Sequence, residues 1–385
     1  MGEHPADVLR DYAHFAEVYL RVAPVTFAVA LLAVAALAQS AAVSDQPYQH
    51  GPNDAITDVP GVKVGHYTDP RTPRGTTVLI PGEAGGICAA DAAGGDPLDI
   101  EVATFAPTTL AEECDAIVLT GGSAFGLSTA AGVVNYLYEN GHGVKTLWGR
   151  VPIVPAAVIF DLPVGDATIH PTPEWGYKAA AAATAGPVQQ GNIGAGAGGT
   201  VGKSPGGIPL KGGLGTASFV LPGGVVVGAI VALNSLGDVV DPATGEFYAT
   251  SGGFDRALFR RYYVPPKPEK VSSIENTTTA IIATNAKVTK TQLAKVAQLA
   301  HDGLARAIRP VHSMLDGDTI FVVSVGGDKR IEIKPTSFAG EEVDIVGGAA
   351  GDVLVQAILN GMQAAQSIPG WTSYSDWKKA RETKR

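Results

Sequence analysis

Cysteine is nearly missing from this sequence: Cys88 and Cys114 are the only two in 385 residues. A single pair cannot build the disulfide framework of a small scaffold, and its spacing matches no zinc or thiol-redox motif. Both lie among small apolar residues, so the reading is two buried free thiols. Basic residues are also scarce, 28 Lys and Arg against 37 Asp and Glu, for a net charge of −9. Nucleic acid demands a basic face to meet its phosphates, and nucleic-acid binding is excluded on that ground. The one basic run, the C-terminal "KKARETKR", reads as a solvated end. The eight histidines form no HExxH and no paired His/Asp ligand spacing, so neither a metal nor a cofactor is expected. No G-x-S-x-G elbow occurs, and no Ser…Asp…His order stands out.

Glycine, by contrast, is abundant at 48 residues while aromatics make up 7%. That balance points to tight turns and close backbone packing in a layered fold. The length is ample for a sizeable core. Residues 22–38, "VAPVTFAVALLAVAALA", form a charge-free run of 17 residues ending in Ala36-Leu37-Ala38. It reads as a signal-peptide core with cleavage after Ala38, and hence as export to the periplasm or medium. Residues 1–21 carry four acids and two arginines where a short basic region belongs. A membrane anchor at the short limit of spanning length, or a cytoplasmic protein with a buried helix, are the alternatives. Residues 1–50 are therefore set apart from a single domain over 51–385.

Along that domain, "AITDVPGVKVGHYTD" (55–69) alternates around a Pro-Gly turn, a hairpin-like opening. Strands are expected at "GTTVLIP" (75–81), before the Gly-Gly turn of "DAIVLTGGSAFGL", at "VPIVPAAVIFDLPVGD", and twice in "ASFVLPGGVVVGAIVALN". Helices are expected after Ser123 (ending near Gly141), at "KAAAAATA" (178–185), after Thr289, and at "GDVLVQAILNGMQAA" (351–365). Thr289 and Gln292 form a capping-box pair, and Pro310 stops the helix they open. Residues 243–275 read as an exposed connector. "GNIGAGAGGTVGKSPGG" (191–207) holds G-x-G-x-x-G at Gly194, Gly196 and Gly199 and a near P-loop at Lys203. Both nucleotide readings need a helix immediately afterwards, and Pro205-Gly206-Gly207 forbids one. The loop is better read as one that lets backbone, Gly196 included, approach a substrate closely. Strands and helices interspersed with short Gly/Pro turns indicate an α+β layered domain, not strict βαβ winding.

The most informative stretch is "SSIENTTTAIIATNA" (272–286). Three threonines opening an apolar run suit a strand. They also suit a chain cut between Asn276 and Thr277, because a new N-terminal threonine carries a nucleophile and a base together. An α-amine has a pKa of about 7.7–8.0, near that wanted of a general base, and no histidine is then required. "SMLDGDTIF" offers Asp316 and Asp318 at a strand entry, readable as an orienting pair or as a solvated Asp-Gly turn. Asn234 can supply an amide and Lys203 a charge to an oxyanion. Ser123, on a strand-to-helix turn, is read as a helix N-cap instead of a nucleophile.

Taken together, "ITDVPGVKVGHYTD", "LTGGSAFGL", "VPIVPAAVIFDL", "GAGAGGTVGK", "VALNSLGDVVDP", "NTTTAIIATNA" and "AHDGLARAIRPVHSMLDGDT" resemble the L-aminopeptidase/D-esterase (DmpA-type) family, closest in motif to its nylon-oligomer endo-hydrolase branch. The resemblance implies a four-layer αββα sandwich like that of N-terminal-nucleophile hydrolases. It implies self-cleavage after Asn276, Thr277 as nucleophile, Asp316 and Asp318 as its paired carboxylates, and Asn234 and Lys203 as the remaining polar site residues. It further implies a small peptide or amide substrate, a homo-oligomer, and no metal. Phe160 stands where many members have a site tyrosine, which bears on substrate class. The leading expectation is a self-processing amide hydrolase; an acyltransferase like the ornithine acetyltransferases, and an inactive binding protein on the same fold, are its rivals.

Overall fold

The computed structural model describes residues 48–83, 85–203, 208–245 and 276–383. The apolar run at 22–38 and nearly all of the connector read at 243–275 lie outside the described residues. Residues Gln49–Arg385 make one compact unit.

The first eight strands of the two principal sheets are β1 (Gln49–His50), β2 (Lys63–Thr68), β3 (Gly75–Ile80), β4 (Gly86–Ala92), β5 (Asp99–Ile100), β6 (Glu113–Cys114), β7 (Ile117–Thr120) and β8 (Ala156–Val158). They are followed by β9 (Leu214–Val220), β10 (Val226–Ala232), β11 (Thr279–Thr284) and β12 (Thr319–Val325). The described helices are α1 (Thr129–Glu139), α2 (Pro173–Ala181), α3 (Lys290–Ala307), α4 (Glu341–Ala364) and α5 (Tyr374–Glu382).

The larger sheet has the order β1-β9-β10-β11-β12-β4-β6, and the smaller β2-β3-β7-β8-β5. Each is antiparallel apart from one parallel pair, β11 with β12 and β7 with β8. The period-2 alternation of side chains divides the core into three layers of packing. On β12, Ile320 and Val322 face α3 and α4, while Phe321, Val323 and Val325 face the smaller sheet. On β7, Ile117 and Leu119 meet the larger sheet and Val118 packs with Val133 and Leu137 of α1. Helices, sheet, sheet and helices therefore stack as an αββα sandwich, and the central strands are buried on both faces. That double burial explains their near-continuous Val/Ile/Ala runs. Each large apolar side chain so enclosed contributes about 1.5–3 kcal/mol.

Helix α3 begins as its sequence dictates: Thr289 accepts from the Gln292 N–H, and Gln292 Oε1 accepts from the Thr289 N–H at 2.9 Å. Its Gly303 lies against Gly351 of α4, where an added Cβ would fall 2.3 Å from the Gly351 carbonyl oxygen. The two helices can approach this closely only without a side chain at that point.

Several expectations need correction. Cys88 and Cys114 are not free thiols: they form a disulfide, with Cα atoms 5.9 Å apart. The register Gly86↔Cys114 folds edge strand β6 back along β4 and sets the two cysteines side by side, an adjacency that linear spacing hides. The first hairpin is not built around Pro60-Gly61. Residues Ile56–Asp58 form a 3₁₀ turn, and β2 pairs with β3 through the turn at 69–74. Ser123 is not an N-cap; it opens a 3₁₀ segment with φ +53°, and α1 starts later at Thr129. The alanine-rich helix starts five residues early, at Pro173, because proline suits the first helical position. Likewise α4 begins at Glu341, ten residues before the expected start. The basic tail is solvated through Thr383, but most of it continues α5, with Arg381 over the Trp377 ring at 4.8 Å.

Candidate active site

Strand register assembles the site. In the parallel pair Thr279 lies beside Thr319, an offset of 40, which continues outward through the Asn276↔Asp316 bridge. Thr277 therefore sits beside Gly317, with Asp316 and Asp318 on either side. In the antiparallel pair Ala232 lies opposite Thr279, and the same register carries Asn234 opposite Thr277. Three segments distant in sequence thus meet at one end of the three central strands of the larger sheet. All of Asn234, Asn276, Thr277, Asp316 and Asp318 are buried.

Thr277 Oγ1 lies 2.5 Å from the carbonyl oxygen of Asn276 and donates to it. The same carbonyl accepts the Gly317 N–H at 2.9 Å, and the Thr277 N–H donates to the Asn234 carbonyl at 3.0 Å. The Asn276–Thr277 peptide is thereby held at both its oxygen and its nitrogen, with a hydroxyl against it. Lys203 Nζ donates to Asn234 O at 3.2 Å and to Asn234 Oδ1 at 2.9 Å. The Thr200 N–H also donates to Asn234 Oδ1 at 3.2 Å, which fixes the amide oxygen on that side. The Asn234 amide nitrogen then donates to the main-chain carbonyl of Phe160 at 2.8 Å. Although Lys203 as a residue keeps some exposure, its ammonium is enclosed; loss of hydration pushes its pKa down to about 7, against the opposing pull of Asp316 and Asp161.

The two carboxylates are held by main chain as well as side chains. Asp318 Oδ1 accepts the Thr278 N–H at 2.8 Å. Its Oδ2 accepts the His312 N–H at 3.1 Å and lies 2.9 Å from His312 Nδ1. Asp316 Oδ2 accepts the Ser313 N–H at 3.0 Å and the Ser313 hydroxyl at 2.6 Å, and Oδ1 accepts the Leu236 N–H at 3.3 Å. Burial, and then the neighbouring Asp318 charge, raise the Asp316 pKa above the ordinary carboxylate range. Two buried carboxylates beside the Thr277 hydroxyl, one with a raised pKa, form an arrangement that can exchange a proton with it.

The structure therefore links Thr277, Asn234, Lys203, Asp316 and Asp318 in one hydrogen-bonded cluster. Phe160 enters it through its carbonyl. Gly196 is not open to the cluster: it packs on β9, where an added Cβ would fall 2.0 Å from the Leu214 nitrogen, and its carbonyl accepts from buried Lys211 at 3.2 Å. Sequence reasoning missed His312 and Ser313, because a residue six before Asp318 meets it only after the loop has closed on itself. Among the described residues no group of three or more His, Cys, Asp or Glu is arranged to hold a metal.

A sandwich of this order, with a threonine at the edge of its parallel strand pair, is the DmpA-type variant of the N-terminal-nucleophile hydrolase fold. Solved structures that share it include a beta-aminopeptidase of Burkholderia sp., at TM-score 0.63 and 24% identity over 83% of this chain and 89% of that one, and the L-aminopeptidase D-Ala-esterase/amidase of Ochrobactrum anthropi, at TM-score 0.61 and 22% identity over 83% and 88%. The family model described as peptidase family S58 matches residues 54–375, and the chain belongs to that family. It is 41% identical over 352 residues to an uncharacterized aminopeptidase of Mycobacterium leprae, covering 84% of this chain and 94% of the relative. To a 6-aminohexanoate-oligomer endohydrolase of Paenarthrobacter ureafaciens it is 32% identical over 320 residues, covering 78% and 84%. The protein is accordingly a hydrolase of the aminopeptidase/amidase type.

Proposed function

We propose that the chain cuts itself between Asn276 and Thr277 and then hydrolyses short linear amides with Thr277 as nucleophile. The observation that carries this reading is the Thr277 hydroxyl lying 2.5 Å from the Asn276 carbonyl oxygen while Gly317 N–H donates to that same oxygen. In the first reaction the hydroxyl attacks the Asn276 carbonyl carbon, the C–N bond breaks, and the Thr277 nitrogen takes the proton. Water then resolves the ester, leaving a free α-amine near the Asn234 carbonyl. In turnover a substrate carbonyl takes the place of Asn276, the amine receives the hydroxyl proton and returns it to the leaving amine, and water hydrolyses the acyl-enzyme. Gly317 N–H serves as the oxyanion donor. Lys203 shares the Asn234 carbonyl with that amine, so while Lys203 is protonated a second positive charge on the amine is disfavoured.

Peptides, amino-acid amides or esters, and ω-amino oligomers are the substrate classes, in keeping with what the relatives are named for. Export is part of the same proposal, supported by residues 22–38 and by the Cys88–Cys114 disulfide, a bond at home in oxidising compartments. The test is a panel of such amides offered to the purified chain and to Thr277→Ala, with and without added amine. Release of free acid only by the parent supports hydrolysis. A product formed only when amine is present would mean acyl transfer, and silence from a processed chain would contradict catalysis.

A further inference from the structure

We propose that His312 is a positioning residue for Asp318, its ring Nδ1–H fixing that carboxylate as the ionised member of the pair beside Thr277. The inference rests on the catalytic reading of Thr277 and its carboxylates given above. Among the described residues six hydrogen bonds reach the carboxylate oxygens of Asp316 and Asp318, and four of them come from the consecutive residues His312 and Ser313. Their two adjacent main-chain N–H groups go to different carboxylates, His312 to Asp318 and Ser313 to Asp316. His312 adopts φ +56° to do this, a left-handed conformation uncommon outside glycine. Strain of that kind persists where surrounding structure over-determines it, and here the ring and the main chain of one residue grip the same oxygen.

The partners fix the tautomers. If Asp318 is the ionised member it only accepts, which requires the hydrogen of the His312–Asp318 contact on His312 Nδ1. Its Nε2 is buried and has no partner among the described residues. Against this ring lies His301 of α3, T-shaped at 4.7 Å between centroids. His301 Nε2 lies 3.2 Å from the main-chain oxygen of Asp91, so that nitrogen donates, and its Nδ1 is likewise buried without a partner. The groups facing His312 are thus Asp318 with Asp316 from its own loop and His301 from α3, backed by the Asp91 carboxylate of β4 at 3.4 Å. Burial, and then the neighbouring His312, lower the pKa of His301, so a second positive charge beside His312 is disfavoured. A donor aimed at Asp318 Oδ2 favours the anion there and leaves the shared proton to Asp316.

The experiment compares His312→Gly with His312→Asn in the full chain. Glycine adopts φ +56° freely and keeps the main-chain N–H, so only the ring donor is lost. Asparagine tolerates the same conformation and places an amide hydrogen near the position of Nδ1, without titrating. The readouts are the acid limb of self-cleavage and of amide turnover, melting temperature, and the tautomer of His312 by ¹H–¹⁵N correlation in the uncut Thr277→Ala chain. His312→Gly is expected to move the acid limb up by about one pH unit, a roughly tenfold loss on that limb. His312→Asn is expected to restore it, and the parent ring to show Nδ1–H. An acid limb unmoved by His312→Gly, equal shifts in both variants, or a hydrogen only on Nε2 would overturn the proposal. If either variant fails to fold, the tautomer decides alone. Self-cleavage surviving in Thr277→Ala would instead sink the nucleophile assignment, and the tautomer result would stand apart from it.

Discussion

Gly317→Ala tests the geometry where the carboxylate loop passes the nucleophile. A Cβ on residue 317 would lie 2.9 Å from Thr277 Oγ1 and 2.6 Å from the main-chain oxygen of Asp96. Carbon and oxygen do not settle closer than about 3.3 Å, so one wall must retreat by about 0.5–1 Å. The Asp96 oxygen belongs to backbone pinned by the bond from Asp96 N–H to Asp316 O at 2.9 Å. Residue 317 is therefore driven toward the nucleophile, and the Gly317 N–H drifts from the Asn276 carbonyl. A misplacement of about 1 Å costs about 10²-fold in rate, or about 2.7 kcal/mol on the barrier. The overpacking itself costs about 1–3 kcal/mol of stability. The assay is a time course of self-cleavage in freshly purified precursor, followed by intact mass, beside a melting curve. Gly348→Ala is the control: no heavy atom lies within 4 Å of its added Cβ. Within α4 that change is expected to stabilise by about 0.5–1 kcal/mol and to leave processing unchanged. Processing of Gly317→Ala at the parental rate would refute the assignment of that N–H and of the approach it guards.

Two further outcomes follow from buried groups outside the nucleophile. Lys211 is fully buried, its Nζ lies within hydrogen-bond distance of the carbonyls of Gly196, Gly199 and Gly212, and its pKa is pushed down to about 7 by lost hydration, as is that of Lys203. Between about pH 7 and 10 the unfolded chain holds protons on these lysines that the folded chain has released, so their contribution makes stability rise with pH. Lys211→Met should flatten that rise in melting temperature by about half; an unchanged slope contradicts the buried neutral lysine. Replacing Cys88 and Cys114 by alanine opens a bridge spanning 26 residues. It should cost about 3 kcal/mol in denaturant unfolding, and a loss near zero would argue against the bond.

The sequence was most legible where one cause dominates. Strands β9 to β12 announce themselves through β-branched runs buried on both faces, and α3 through its capping box and apolar stripe. The α+β class followed from interspersed strands and helices, whereas the four-layer order rested on family motifs. Errors arose where a turn signal had two physical uses. Pro60-Gly61 follows a 3₁₀ segment and does not turn the hairpin, and Pro173 opens α2 five residues before the alanine-rich stretch that announced it. The disulfide could not be read, because it depends on which edge strand lies beside β4. At the site, Asp316 and Asp318 were visible as a local pair. Placing Asn234 opposite Thr277 requires the β10–β11 register, and no linear motif carries that. His312 was passed over because a hydroxyl and an amine on one residue had removed the need for a histidine as base. Its position behind Asp318 is a property of the folded loop.

The most direct measurement is the intact mass of the purified parent beside Thr277→Ala. The account predicts two parental fragments, the second beginning at Thr277 with 385 − 276 = 109 residues, and a single uncut chain in the mutant. A parent that stays whole would have no free α-amine at Thr277, and the mechanism built on that base would be wrong.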